Sequence, residues 1–268
     1  MPNLISALTP TLTAGVNAVQ KGIVDTQTQL ATGTKILNAA EVGIVTRLTA
    51  QAAGYKSVSQ NITSGTNVIN VGSTALNSIS TILSQAKDIA TQAANAGLQT
   101  SDRTALNTTF SQLLAQVTNL ITNASVNGEN VLISGGGNLT IQSGITGGTA
   151  SQTTISNLAI SVSTLGVNAS TVTTQATAQA AIDSLTTALG TISTNLSTLA
   201  ATKTGLDSSA AAALSLSTNL ANTVDSIQAV DQTALQAKLQ QLNNQQAIDY
   251  YLISQMNTAA ASALTIFR

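Results

Sequence analysis

The chain contains no cysteine and no histidine. A disulfide, a thiolate nucleophile, an imidazole base and a metal site built on His or Cys are therefore excluded, and no cofactor is expected. Tryptophan is missing too, and the aromatics amount to three tyrosines and two phenylalanines. The core must come from Leu, Ile, Val and Ala, a palette that suits long, closely packed helices. Charge is equally scarce. Asp, Glu, Lys and Arg make up 7% of 268 residues, against about 25% in an ordinary soluble domain. The nine basic residues form no cluster, so a nucleic-acid surface is not expected. Ser, Thr, Asn and Gln must carry solubility instead. Weakly charged faces repel other copies poorly, and a net charge near zero favours association.

Long apolar runs are absent as well. No stretch approaches the ~18–20 continuous apolar residues of a membrane span, so no membrane partner is expected. The first ten residues, Met1 to Pro10, show no basic region followed by an apolar one, and export by a Sec signal peptide is not expected.

What is present is helical periodicity. Over residues 3–33, Ile5, Leu8, Leu12, Val19, Ile23 and Leu30 recur mostly at three- and four-residue steps, the seam of a helix that packs on other helices. Ile5, Leu12 and Val19 hold one seven-residue row, and Ile23, Leu30, Leu37 and Ile44 hold another, offset by four, which reads as a stutter. Pro10 is expected to kink or delay the helix start. Gly33 is expected to break it. A second helix is predicted over about 41–98, where Gly54, Gly65 and Gly72 read as points of close helix–helix approach. A third, over about 102–123, would be capped by Ser101-Asp102-Arg103. Residues 125–167 change character: glycines punctuate short runs, and Leu139-Thr140-Ile141-Gln142 and Leu158 to Val162 alternate as strands do. From about 173 helical spacing returns and runs to the C-terminus through Leu235, Leu239, Leu242, Ile248, Leu252 and Leu264. The fold class is thus mainly α, a long antiparallel helical bundle or coiled coil with a small β-hairpin region.

Candidate chemistry is thin. Asp102-Arg103 and Lys87-Asp88 read as solvated helix faces, and Asp225 and Asp231 as polar breaks in a helical seam. Gly135-Gly136-Gly137 lacks the Lys-Ser/Thr and helix of a phosphate loop and reads as a hairpin turn. Tyr250, Tyr251 and Met256 read as packing at a subunit contact rather than a ligand pocket. Catalysis is not expected.

At this point the chain resembles the bacterial flagellins. Leu30-Ala31-Thr32-Gly33, then Asn38-Ala39-Ala40-Glu41, matches the Leu-Ser-Ser-Gly turn, Asn-Ser-Ala and acidic pair of that family, with Glu41 alone for the pair. Ile89-Ala90-Thr91-Gln92-Ala93 looks like its Leu-Ala-x-Gln-Ala helix. Asn127-Gly128, followed by Val131-Leu132, matches its Asn-Gly turn into the first strand. Ala263 to Arg268 resembles its terminal Leu-rich stretch. The large outer domains of long flagellins have no counterpart.

The resemblance implies a structural subunit of the bacterial flagellar filament that self-assembles for motility, located outside the cell. Its N-terminal inner-core helix would span 1–42, an outer-core helical rod 43–222 with its β-hairpin region at about 125–167, and a C-terminal inner-core helix 223–268. The terminal helices, poorly ordered in a single exported copy, would form the filament core. Ile5, Leu8, Leu12, Val19, Ile23, Leu30, Leu235, Leu239, Leu242, Ile248, Leu252 and Leu264 are the expected subunit interface. Implied partners are further copies in a homopolymer, an export chaperone, and cap and junction proteins, with export through the flagellar type III channel. The alternatives are the hook–filament junction protein of the same superfamily and, in a different class, a helical secreted translocator or pore-forming protein. Many flagellins carry O-linked sugars, but the Ser- and Thr-rich residues 140–177 read here as groups that replace charge. Leu83-Ser84-Gln85-Ala86-Lys87-Asp88-Ile89-Ala90 matches the family's Leu-Gln-Arg-x-Arg-Glu-Leu-Ala stretch that an animal Toll-like receptor senses. With Gln85 and Lys87 at the two Arg positions, weak detection is implied.

Overall fold

A computed structural model describes the backbone of residues 2–266 and the side chains of residues 10–262. Five helices and one hairpin follow in order: α1 (Pro2–Thr32), α2 (Ala39–Ala93), α3 (Thr100–Asn123), β1 (Leu139–Gln142), β2 (Gln152–Ile155), α4 (Gln175–Gln228) and α5 (Gln232–Ile266). The chain divides into two compact units, one of residues 1–50 with 219–268, the other of residues 51–218.

In the 51–218 unit the seam of α2 is a strict alternation of four- and three-residue steps. Val58, Ile62, Gly65, Ile69, Gly72, Leu76, Ile79, Leu83, Ala86, Ala90 and Ala93 are all buried. All but the two glycines join Phe110, Val117 and Ile121 of α3 and Ala178, Ala181, Leu185, Ala188, Ile192, Leu199 and Leu206 of α4 in one core. The glycines have a purpose other than helix–helix approach. A Cβ on Gly65 would overlap Ile141 Cδ1, one on Gly54 would lie 3.0 Å from Ile145 Cγ2, and only Gly72 meets a helix, with Leu199 Cδ1 at 3.5 Å beside Val131 Cγ2 at 3.2 Å. The notches in α2 chiefly receive the hairpin region. Threonines inside the helices mostly donate their hydroxyls to the carbonyl four residues back, as Thr91 does to Lys87 at 2.8 Å and Thr186 to Ile182 at 2.8 Å. That local bond lets a Thr-rich, charge-poor sequence remain helical.

The region between α3 and α4 differs from its predicted form. Asn127 and Gly128, at φ 54° and 86°, make a two-residue turn, with Val126 and Glu129 exchanging backbone bonds of 2.9 Å each way. Positive φ at both central positions is what such a turn requires. Val131 and Leu132 are buried but form no strand. β1 is where the alternation puts it, yet it pairs antiparallel with β2, Leu139 opposite Ile155 and Gln142 opposite Gln152, and not with Leu158 to Val162. Ala159 takes φ 49°, which breaks that run, and Ile160 makes only a single parallel bridge to Ile133.

In the other unit, α1 runs through Pro10 from Pro2, so the proline does not delay its start. Leu12, Val16, Val19, Ile23, Thr26 and Leu30 form one unbroken four–three row that is buried or half-buried. The two rows read as offset by a stutter are alternate positions of this single heptad seam; Val16 and Thr26 supply its missing members. α1 packs on α5, whose matching half-buried row is Leu235, Leu239, Leu242, Gln246, Asp249, Ile253, Met256 and Ala260. Leu242 Cδ1 would lie 3.3 Å from a Cβ on Gly22. Along their described residues α1 and α5 are helical and paired with each other.

Candidate assembly surface

The two breaks that separate terminal from central helices lie side by side. Gly33, at φ 68°, donates its N–H to Gln29 O at 2.9 Å and ends α1 as a left-handed cap that glycine alone adopts without strain. Thr34 then bridges Ala229 antiparallel, and Lys35 N–H donates to Gln228 O at 2.8 Å. Beyond the first break, Asn38 Oδ1 accepts from Glu41 N–H at 2.9 Å while Asn38 N–H donates to Glu41 Oε2 at 3.0 Å. This reciprocal box satisfies two donors of the α2 N-terminus. Lys35 Nζ reaches Glu41 Oε1 at 2.5 Å. The Lys35 ammonium, then the Asn38 amide, hold the Glu41 carboxyl below its ordinary pKa. Beyond the second break, Asp231 Oδ1 accepts from Ala234 N–H at 3.0 Å and caps α5. Read as a polar break, Asp231 is a helix start.

Around this joint and along the terminal pair, large apolar side chains stand in solvent. Val24, Ile36, Val42, Ile44, Ile248, Tyr250, Tyr251 and Leu252 are between 41% and 62% exposed. Ile248, Tyr251 and Leu252 fall on one face of α5 by their three- and four-residue spacing. This divides the expected interface residues. Leu12, Val19, Ile23, Leu30, Leu235, Leu239 and Leu242 belong to the rows by which α1 and α5 pair within one chain, whereas Ile248 and Leu252 face outward. Ile5, Leu8 and Leu264 lie on helical backbone, but their side chains fall outside the described residues. Tyr250 Oη accepts from Gln20 Nε2 at 2.9 Å, and Tyr251 Oη from Gln255 Nε2 at 3.0 Å.

The receptor-motif positions sit on α2 in the other unit. Leu83 is wholly buried, Gln85 is exposed, and Lys87 and Ile89 are half-buried. Arg103 is not a solvated face residue. Its guanidinium donates to Ala93 O, Leu98 O and Asn95 O at 3.0, 2.9 and 2.6 Å, closing the C-terminal end of α2. Correspondingly, α3 begins after Gln99 with no side-chain cap, and Ser101 and Asp102 lie inside the helix. An Arg five to ten residues beyond its acceptors leaves no local pattern, so this clamp is not readable from spacing.

Paired acids are not found in the grooves described for this unit. One of about 480 Å³ holds Asp102, and one of about 250 Å³ holds Glu129, each as its sole carboxylate. Among the described residues there is no cluster of three potential metal ligands, and no helix is long and apolar enough to cross a membrane.

Comparison with known proteins gives a consistent picture. Residues 5–135 match the family model of the bacterial flagellin N-terminal helical region. Among solved structures, the crystal structure of Bacillus cereus flagellin is similar, with 25% identity and a TM-score of 0.51, covering 57% of this chain and 87% of that one. No curated protein matches. The match of residues 5–135 to the flagellin N-terminal helical region and the likeness of fold together support a bacterial flagellin.

Proposed function

We propose that the chain is the structural subunit of a flagellar filament, assembling outside the cell through its N- and C-terminal helices. The observation that carries this reading is the exposed apolar row of Ile248, Tyr251 and Leu252 on a helix pair with little interior of its own. An apolar patch left in solvent marks an interaction site, and a 35-residue α5 spans about 50 Å at 1.5 Å per residue, long enough to meet more than one neighbour. In this reading residues 1–42 and 223–268 form the inner core and 43–222 the outer-core rod. The outward residues make contacts between copies, while Leu12, Val19, Ile23, Leu30, Leu235, Leu239 and Leu242 hold each pair together. Contacts that do not close on themselves give an open filament. Export through the type III channel, with a chaperone on the C-terminal segment and addition under a cap, completes the proposal. A pore-forming role is disfavoured, since no described helix suits a bilayer.

Deletion of residues 236–268 tests it. The truncated chain should remain a soluble, partly folded monomer and fail to extend filament seeds that the full chain extends, as seen by electron microscopy. Normal filaments from the truncated chain would overturn the reading.

The Gln85 and Lys87 positions carry a further expectation, weak signalling through the flagellin-sensing receptor. Gln lacks charge and Lys lacks the planar fork by which Arg makes bidentate contacts. A Gln85→Arg, Lys87→Arg double variant of the monomer should signal about thirtyfold more strongly in a receptor reporter assay, the equivalent of ~2 kcal/mol for a central Arg anchor. Potent signalling by the unaltered chain with no gain from the changes would count against it.

A further inference from the structure

Among the described residues, the α1–α5 seam holds one charge. Asp249 occupies a row otherwise made of Leu, Gln, Ile, Met and Ala, and its Oδ2 is buried with no hydrogen-bond partner. Nothing nearby in sequence can neutralise it. Residues 1–20, from which α1 presents the first half of its seam, contain no Lys, Arg, Asp or Glu. Lys238 is the nearest cation on α5, eleven residues away and three turns back. Lys21, the first cation of α1, is engaged with Asp25 at 2.5 Å. The polar residue of the α1 row, Thr26, is treated differently: its hydroxyl donates to Gly22 O at 2.7 Å. Thr26 is thus satisfied locally, whereas Asp249 Oδ2 is not.

We propose that Asp249 is a built-in weak point of the α1–α5 pair, one that keeps the two terminal helices separable in a single copy. A carboxylate oxygen drawn into an apolar seam without a partner, on a half-buried side chain, raises the free energy of the paired state relative to the separated one, where water solvates both oxygens. A polar residue at one seam position of a coiled coil lowers stability in the same way. The terminal pair can least tolerate such a cost, because its interior is only one seam wide. The consequence is a pair that opens readily and can repack when further copies arrive. The inference rests on the filament reading for its purpose, though not for its first test.

Hydrogen exchange on the full-length monomer provides that test. Asp249→Asn removes the charge and keeps the size; Asp249→Leu restores an apolar row. Both should slow exchange of the α1 and α5 amides about tenfold or more, while amides of residues 51–218 stay unchanged. Unchanged or faster exchange in the Asn variant would overturn the weak point, whatever the bulkier Leu does. The second arm measures the protein concentration needed for seeded assembly, which should rise in both variants. Slower exchange with an unaltered assembly threshold would overturn the role in repacking. If the unaltered chain fails to assemble at all, the filament reading falls, and the exchange arm still decides the weak point.

Discussion

The two units of this protein are built from the same heptad grammar and have opposite relations to water. In the 51–218 unit, α2 supplies a four–three row of eleven buried residues, and thirty-one buried apolar residues join in one core. In the unit of the termini, the described buried apolar residues are Val16, Val19 and Ile23, although α1 and α5 are 31 and 35 residues long. Eight large apolar residues stand exposed there, against Ile145, Leu214 and Leu216 in the other unit. A periodic seam is thus not by itself a core. Two helices bury one stripe each, whereas three helices and a hairpin surround their stripes, and apolar area removed from water stabilises at about 25 cal/mol per Å². The central unit gathers its stripes into one core, whereas the terminal pair leaves large apolar side chains exposed.

The sharpest way to break this comparison is to carve the same kind of hole in each unit. Leu76 is wholly buried, and Leu76→Ala should cost about 2–5 kcal/mol, lowering the main thermal transition. Ile23→Ala should leave that transition in place and reduce only the helicity of the terminal pair, followed by circular dichroism of the full chain beside the 236–268 deletion. A fall of the main transition on Ile23→Ala would show that the units are not separately stabilised.

Glycine substitutions sharpen it further. A Cβ on Gly65 collides with Ile141, while one on Gly15 meets nothing within 4 Å. Gly15→Ala should stabilise α1 by up to about 1 kcal/mol through helix propensity. Gly65→Ala receives the same gain but must displace a buried Ile, at about 1–3 kcal/mol, and should lower the denaturation midpoint and unprotect the β1 amides. Equal effects at the two sites would mean that the notch in α2 is not filled.

The smallest effect concerns pH. Lys35 and Asn38 hold the Glu41 carboxyl below its ordinary pKa. Its stabilisation of the joint is therefore fully present above the ordinary glutamate value and is lost as pH falls through the lowered folded one. The first turn of α2, from Ala39, should fray over that acid window, read from amide protection at Ala39 to Val42. In Glu41→Gln the same amides should show no such dependence.

The helices were legible because their signals are local. Gly33 ends α1, the Asn38–Glu41 box starts α2, and Asn127-Gly128 makes a turn wherever it stands. β2 was not, since Gln152-Thr153-Thr154-Ile155 carries a single buried apolar residue and becomes a strand only because β1 lies beside it. Leu158 to Val162 has the better pattern and fails because Ala159 is held at positive φ, its N–H donating to Asn157 Oδ1 at 2.7 Å. The Arg103 clamp and the division of the terminal apolar residues into an inner row and an outer one were likewise invisible.

Alone, the sequence determined that this protein would be helical, charge-poor and without cysteine or histidine, because periodicity, caps and composition act over a few residues. Tertiary structure decided which stripe meets which. It gave the α2 notches to the hairpin, set Ile248 and Leu252 outward, and turned Asp249 inward. A helical repeat fixes that a face must be covered, but what covers it depends on residues two hundred positions away.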